Sequence, residues 1–222
     1  MVNTKTLSFI RFGMTTTNNK TMQIDKSKTY RVSDYTFTNF INLDEDLIKQ
    51  VWLWRNAPEI RAYMYNNDII PLEKHLRFIE SLRDRDDVAY WLVRKGDEPI
   101  GVTNLTDINF EESSAELGYY MLPSKLNSGL GLEFAYNNFL FVFKTEIQCN
   151  SLHGAIHRSN INALVLDSYL GCEIQIEQLK EPDKEFISFS ASKEKFLVEA
   201  EGKNDMRAFI SYVRAHRKDF QV

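Results

Sequence analysis

Apolar positions change period along the chain. In "LDEDLIKQVWLWRN" Leu47, Val51 and Trp54 recur at helical spacing behind an acidic start that suits the helix dipole. In "PLEKHLRFIESLRD" Pro71 takes a favoured first position, and Leu72, Leu76 and Ile79, or neighbouring positions, form the stripe expected to be buried. The period then drops from 3.6 to 2. "VAYWLVRK", "IGVTNLTDINF" and "AELGYYML", separated by "GDEP" and "EESS", predict three successive antiparallel strands. Upstream, "YRVSDYTFTNFI" predicts one strand rich in aromatic and β-branched residues. Downstream come a helix from Glu133 to about Lys144, a strand in "IQCNSLHGAIH" and a helix in "SNINALVLDSYLG" closed by Gly171. A hairpin around "EPDK" follows, then an amphipathic helix in "NDMRAFISYVRAHRKDF" capped by Asn204 or Asp205. The order predicts an α+β fold with a mixed, mostly antiparallel sheet flanked by helices.

The 222 residues are compatible with one large domain, placed at 29–222 behind a polar extension at 1–28, within which Met14 and Met22 are alternative starts. A net charge of -4 gives no basic footprint for nucleic acid. No apolar run approaches the roughly 20 residues that span a bilayer, and the first residues lack the long apolar region of a secretory signal. Cys149 and Cys172 form no CxxC, so a reducing cytoplasm is the expected compartment. His153 and His157 lie on a predicted strand without a carboxylate partner, and no metal site is expected.

The densest chemical signal is "PSKLNSGLGLEF". At the start of the helix after Gly131 several backbone N–H groups lack intrahelical partners and carry partial positive charge. Gly129 and Gly131 leave those amides approachable by a pyrophosphate, with Lys125, Asn127 and Ser128 able to add donors or charge. A plain tight turn, in which glycine supplies positive φ, uses the same residues.

Taken with the strand before it, this stretch resembles the acetyl-CoA motif of the GNAT acyltransferase superfamily. The resemblance implies a fourth strand splayed from a fifth, with Tyr120, Met121 and Leu122 facing pantetheine. The phosphates of acetyl-CoA would lie on Asn127, Ser128, Gly129, Leu130, Gly131 and Leu132, with Lys125 beside them. The family's usual Arg or Gln three residues before the first glycine is Leu126. "SNINALVLDSYLGCE" matches a later family helix at Asn160, Ala163, Gly171 and Cys172, which assigns Asn160 to pantetheine. In that register the family's acid tyrosine falls on Asp167; a shifted register makes Tyr169 the candidate acid.

"WRNAPEIRAYMYNNDIIPLEKHLRFIESL", "IGVTNLTDINF" and "LGYYMLP" together closely resemble the N-acetyltransferases of the pseudaminic acid pathway, over most of Tyr30 to Cys172. That likeness implies a nucleotide-linked amino sugar as partner. Its pocket would be built from Arg55, His75 and Phe78, with Met64, Tyr65, Thr106 and Tyr119 as neighbours. Arg55 offers a planar fork for phosphate; it could equally cap its helix or pair with Glu59. The expected chemistry is direct attack of a neutral amine on the thioester, with Glu116 as candidate terminus of a proton relay. Two rivals share the core: N-terminal acetylation of a protein, and acetyl-CoA binding without transfer. The C-terminal helix suits packing on its own domain or on a second subunit.

Overall fold

The computed structural model describes residues 21–221. Eight strands form one sheet in the order β1-β2-β3-β4-β5-β6-β8-β7. They are β1 (Thr29–Val32), β2 (Tyr35–Asn39), β3 (Ala89–Lys95), β4 (Glu98–Asn109), β5 (Ser114–Met121), β6 (Ser151–His157), β7 (Glu173–Ile174) and β8 (Phe186–Ser192). Neighbours are antiparallel except for β5 and β6, which are parallel. The fold is thus the expected α+β type with a mixed, mostly antiparallel sheet.

The single strand expected over 30–41 is instead a hairpin. Ser33 turns at φ 52 and Val32 pairs back onto Tyr35. The splayed strands are therefore β5 and β6 of this sheet. They pair only at Ser114↔Ser151, Ala115↔Leu152 and Glu116↔His153. Beyond that point Leu117–Met121 and Gly154–His157 diverge, and their facing backbone groups have no ladder partner.

Helices cover both faces. α1 (Glu45–Asn56), the short α2 (Pro58–Arg61) and α3 (Leu72–Ser81) form one side, where Val51, Ile79, Leu92 and Val102 make a compact cluster. Asp44 caps α1 by accepting from the Leu47 N–H. α4 (Gly131–Lys144) and α5 (Ile161–Tyr169) cover the other side over the larger core. α4 is buried nearly all round. It lies so close to β4 that a Cβ on Gly101 would stand 2.4 Å from the Phe134 ring.

The expected "EPDK" hairpin forms, but β7 is only two residues and a 3-10 turn, Ile176–Lys180, fills the rest. A short α6 (Lys193–Lys195) runs into a π-helical turn, Phe196–Ala200, which the sequence pattern did not signal. α7 (Met206–His216) is capped by Asp205, as expected, and packs on α5 of its own domain. No helix among the described residues is long and apolar enough to cross a membrane. Residues 1–20 and the start position at Met14 lie outside the described residues. The packed domain takes in residues ahead of 29: Met22 is buried, the Gln23 N–H donates to the Ile147 carbonyl (3.1 Å), and the Lys26 ammonium donates to the Leu82 carbonyl (2.7 Å).

Candidate active site

The open end of the splay carries the glycine turn. Asn127 (φ 61) and Gly129 (φ 83) adopt left-handed backbone, and α4 starts at Gly131 with no side chain capping it. A Cβ on Gly129 would meet nothing within 4 Å, and one on Gly131 only the Met121 sulfur at 3.9 Å. Uncapped amides, the helix dipole and open space above the glycines together fit a pyrophosphate. The side-chain donors expected there are partly engaged. Lys125 is ion-paired with Glu98, Ser128 Oγ accepts from the Leu130 N–H (3.3 Å), and Leu126 is exposed. Glu133 in the first turn is neutralised by Lys95 at 2.7 Å. Asn160 stands between β6 and α5 as the cap of α5, its Oδ1 accepting from the Ala163 N–H.

Strand alternation divides the side chains of β5 between the two faces. Glu116 and Tyr120 point to the α1/α3 side. Glu116 is the last β5 residue paired with β6, so its carboxylate stands at the root of the splay. Oε1 accepts from the Tyr65 hydroxyl and Oε2 from the Thr106 hydroxyl, each at 3.0 Å. On the same face, near Tyr120 and Tyr90, Arg55 donates from Nη2 to the Asn66 carbonyl (3.0 Å), while Nη1 is buried with no hydrogen-bond partner among the described residues. Arg55 therefore neither caps α1 nor pairs with Glu59. Burial lowers its pKa, opposed by the nearby Tyr120 and Tyr90; the guanidinium stays charged and keeps an unused donor.

The loop after α2 reaches across the splay. The Tyr65 ring lies 4.5 Å from Phe186, and Tyr63 lies 6.0 Å from His157, itself 5.2 Å from Phe186. Tyr63, His157 and Phe186 form an aromatic wall next to Glu116 that the sequence reading did not assign. The alternation of β6 puts His157 on the Glu116 face, but the loop that meets it carries no periodicity. Met64, in the same loop, is partly buried.

Other residues named from the sequence lie elsewhere. Tyr119 points to the α4/α5 side, where its hydroxyl donates to Asp167 and its ring stands edge-on to Phe134, so it is on the face opposite Arg55 and Glu116. Phe78 packs edge-to-face with Tyr90 at 5.2 Å within the α1/α3 cluster. Tyr169 is 5% exposed against Phe209 and Tyr212 of α7, with the Lys203 ammonium over its ring. Of the substrate set, Tyr65 and Thr106 meet at Glu116, and Arg55 lies on the same face near Tyr120 and Tyr90.

His75 is buried between α3 and α1, taking the place in the packed stripe expected of Leu76, which is exposed; its Nε2 lies 3.2 Å from the Ile48 carbonyl. Desolvation lowers its pKa below 6.5, only partly offset by that contact. The unfolded chain therefore binds the extra proton first as pH falls. Stability is full above about pH 6.5 and declines as pH drops through the folded pKa. Urea midpoints at about pH 7.5 and pH 5 should show this loss, and His75→Gln should flatten that part of the profile. An unchanged slope would contradict the burial.

Residues 36–171 match the family model described as "Acetyltransferase (GNAT) domain". The acetyltransferase PseH of Campylobacter jejuni is 30% identical over 128 residues, 58% of this chain and 78% of that protein. The crystal structure of that organism's N-acetyltransferase PseH in complex with acetyl coenzyme A aligns at a TM-score of 0.55 and 25% identity, covering 71% of this chain and 98% of the other. A spermidine N-acetyltransferase of Vibrio cholerae, solved with CoA and spermine, aligns at a TM-score of 0.64 and 14% identity, over 75% of this chain and 99% of the other, a likeness of fold. With the splayed β5–β6 pair, the open glycine turn and a family match across most of the sheet, the chain belongs to the GNAT family and is an acetyl-CoA-dependent N-acetyltransferase.

Proposed function

We propose that this enzyme acetylates the amino group of a nucleotide-linked amino-deoxy sugar by direct attack. The observation that carries the reading is the buried Nη1 of Arg55, without a hydrogen-bond partner among the described residues, on the face of the sheet that also presents Glu116 at the root of the splay. A proton acceptor and an unused guanidinium donor on one face of the sheet suit an amine whose molecule also bears phosphate. The resemblance to the pseudaminic acid pathway enzymes points the same way. Bound acetyl-CoA supplies the acetyl group as a thioester. The α4 N-terminus, with Asn127, Gly129, Gly131 and Leu132, holds its pyrophosphate, and the open edge of β5 at Tyr120 and Met121 holds the pantetheine arm. Glu116 takes the proton released by the attacking amine, with Tyr65 and Thr106 fixing the carboxylate. A backbone N–H on that edge stabilises the developing oxyanion.

Both cysteines are buried and free, and burial pushes the Cys149 thiol up to about 11 and raises the Cys172 thiol well above the usual range. Neither is a ready nucleophile, which favours direct attack over a covalent acetyl-enzyme.

CoA release measured over a panel of UDP- and dTDP-linked amino sugars and N-terminal peptides tests the reading. Turnover is expected on an amino sugar. Arg55→Ala should raise its KM about 10- to 100-fold, the value of one charged hydrogen bond, with little change in kcat. Turnover on peptides alone would assign the chain to protein acetylation, and CoA binding without turnover on any amine would make it a non-catalytic binder.

A further inference from the structure

The leaving CoA sulfur needs a proton, and Glu116, the proposed proton acceptor, projects from one face of β5 only. On the other face the described structure holds a buried acid with one polar side-chain partner. Asp167 on α5 is 2% exposed, and among the described residues its carboxyl bonds only to the Tyr119 hydroxyl. Among the described residues no cation pairs with it. The titratable groups facing it are Tyr119 from β5 and the Cys172 thiol just past α5, with Lys195 of α6 acting on Cys172. Tyr119 lies in the stretch of β5 that has lost its β6 neighbour and is itself only partly buried. The phenol thus links this stretch of β5 to the carboxyl on α5. Tyr169, two residues past Asp167, is rotated about 200° around the helix and faces α7.

We propose that Tyr119 is the catalytic acid of this enzyme, delivering its phenolic proton to the CoA sulfur, and that Asp167 positions and reloads it. As the C–S bond breaks, its electron pair stays on sulfur, which takes the proton of Tyr119. The phenolic oxygen takes the carboxyl proton of Asp167 in the same motion. Asp167, left as carboxylate, accepts the Tyr119 O–H bond seen in the structure and regains a proton from solvent, to which Glu116 returns the proton of the amine. No net proton is consumed. Burial supports this cycle by raising Asp167 well above the usual carboxylate range, so that its neutral form has a proton to give.

The relay rests on acetyl transfer from acetyl-CoA and not on which amine receives it, so the first test omits the acceptor. CoA is bound to the full-length enzyme and its thiol is titrated by thiolate absorbance in the ultraviolet. Tyr119→Phe should raise the bound thiol pKa by about one unit, the loss of one charge-assisted hydrogen bond, with CoA affinity within about threefold. With an accepted amine, the same variant should lower kcat about 100-fold. Asp167→Asn keeps an oxygen for the Tyr119 hydroxyl but has no proton to donate, so kcat should fall and lose its decline at alkaline pH. A thiol titration unmoved by Tyr119→Phe, a kcat within threefold of wild type, or an alkaline limb preserved in Asp167→Asn overturns the relay. Absence of CoA binding overturns both the relay and the acetyl-CoA reading; absence of turnover on amino sugars overturns only the acceptor assignment.

Discussion

Replacing Glu116 by glutamine should lower kcat about 1,000-fold while acetyl-CoA affinity stays within about threefold, within the range expected for loss of a general base. Glutamine keeps the length of the side chain and an oxygen for either the Tyr65 or the Thr106 hydroxyl, so the loop and strands around it should hold. What it removes is the capacity to take a proton at the root of the splay. Single-turnover rates on an accepted amine, beside equilibrium binding of acetyl-CoA, separate that loss from a binding defect. A variant that retains more than a third of wild-type kcat would falsify the role of Glu116 and leave water as the acceptor.

Periodicity exposed the elements because burial imposes it. The switch from 3.6 to 2 at Asp87 marks where α3 gives way to β3, and the glycines at 129 and 131 mark where α4 begins. The β1–β2 turn was hidden because Ser33–Asp34 lacks the Asn-Gly or Asp-Gly signature that makes a two-residue hairpin legible. Site membership was less accessible than the elements. Arg55, His75 and Phe78 sit on neighbouring helices in one motif, yet Arg55 keeps a buried donor without a partner among the described residues, whereas His75 and Phe78 pack between helices and sheet. Which helical residue faces a cleft depends on how α1 crosses α3, and that angle is tertiary. Asp167 shows the same limit. The sequence places it where the family resemblance expects a tyrosine, but the phenol that meets it comes from β5, 48 residues away.

The parity of β5 gives these separate facts a common cause. Glu116 and Tyr119 differ by an odd number of positions, so a pleated strand sends them to opposite faces. The strand edge between them is opened by the loss of β6 after His153. In the proposed mechanism an amine arriving from the α1/α3 side would meet a proton acceptor, and a sulfur toward the α4/α5 side a proton donor. The two proton transfers are kept apart by the thickness of one strand.

That separation depends on α4 holding its place, which makes Phe141 the residue whose loss should cost the fold most. Its ring is fully buried, stacked on Phe37 at 4.0 Å and 5°, and met edge-on by Tyr30 at 5.4 Å and Trp91 at 5.0 Å. Phe141→Ala removes the transfer energy of the ring, leaves a cavity that fully packed neighbours cannot fill, and breaks three aromatic contacts. We expect a loss of about 4 kcal/mol, against a total of about 5–15 kcal/mol for a domain. Urea denaturation should show it as a lower midpoint at unchanged slope, and thermal melts as a drop of about 10 °C. Saturating CoA should still raise the melting temperature of the variant, because the glycine turn lies some three helical turns away at the other end of α4. A loss below about 1 kcal/mol would mean that α4 is not seated on β1, β2 and β3 through this ring. A full loss without rescue by CoA would mean that the ring also holds the N-terminus of α4 in register for the pyrophosphate.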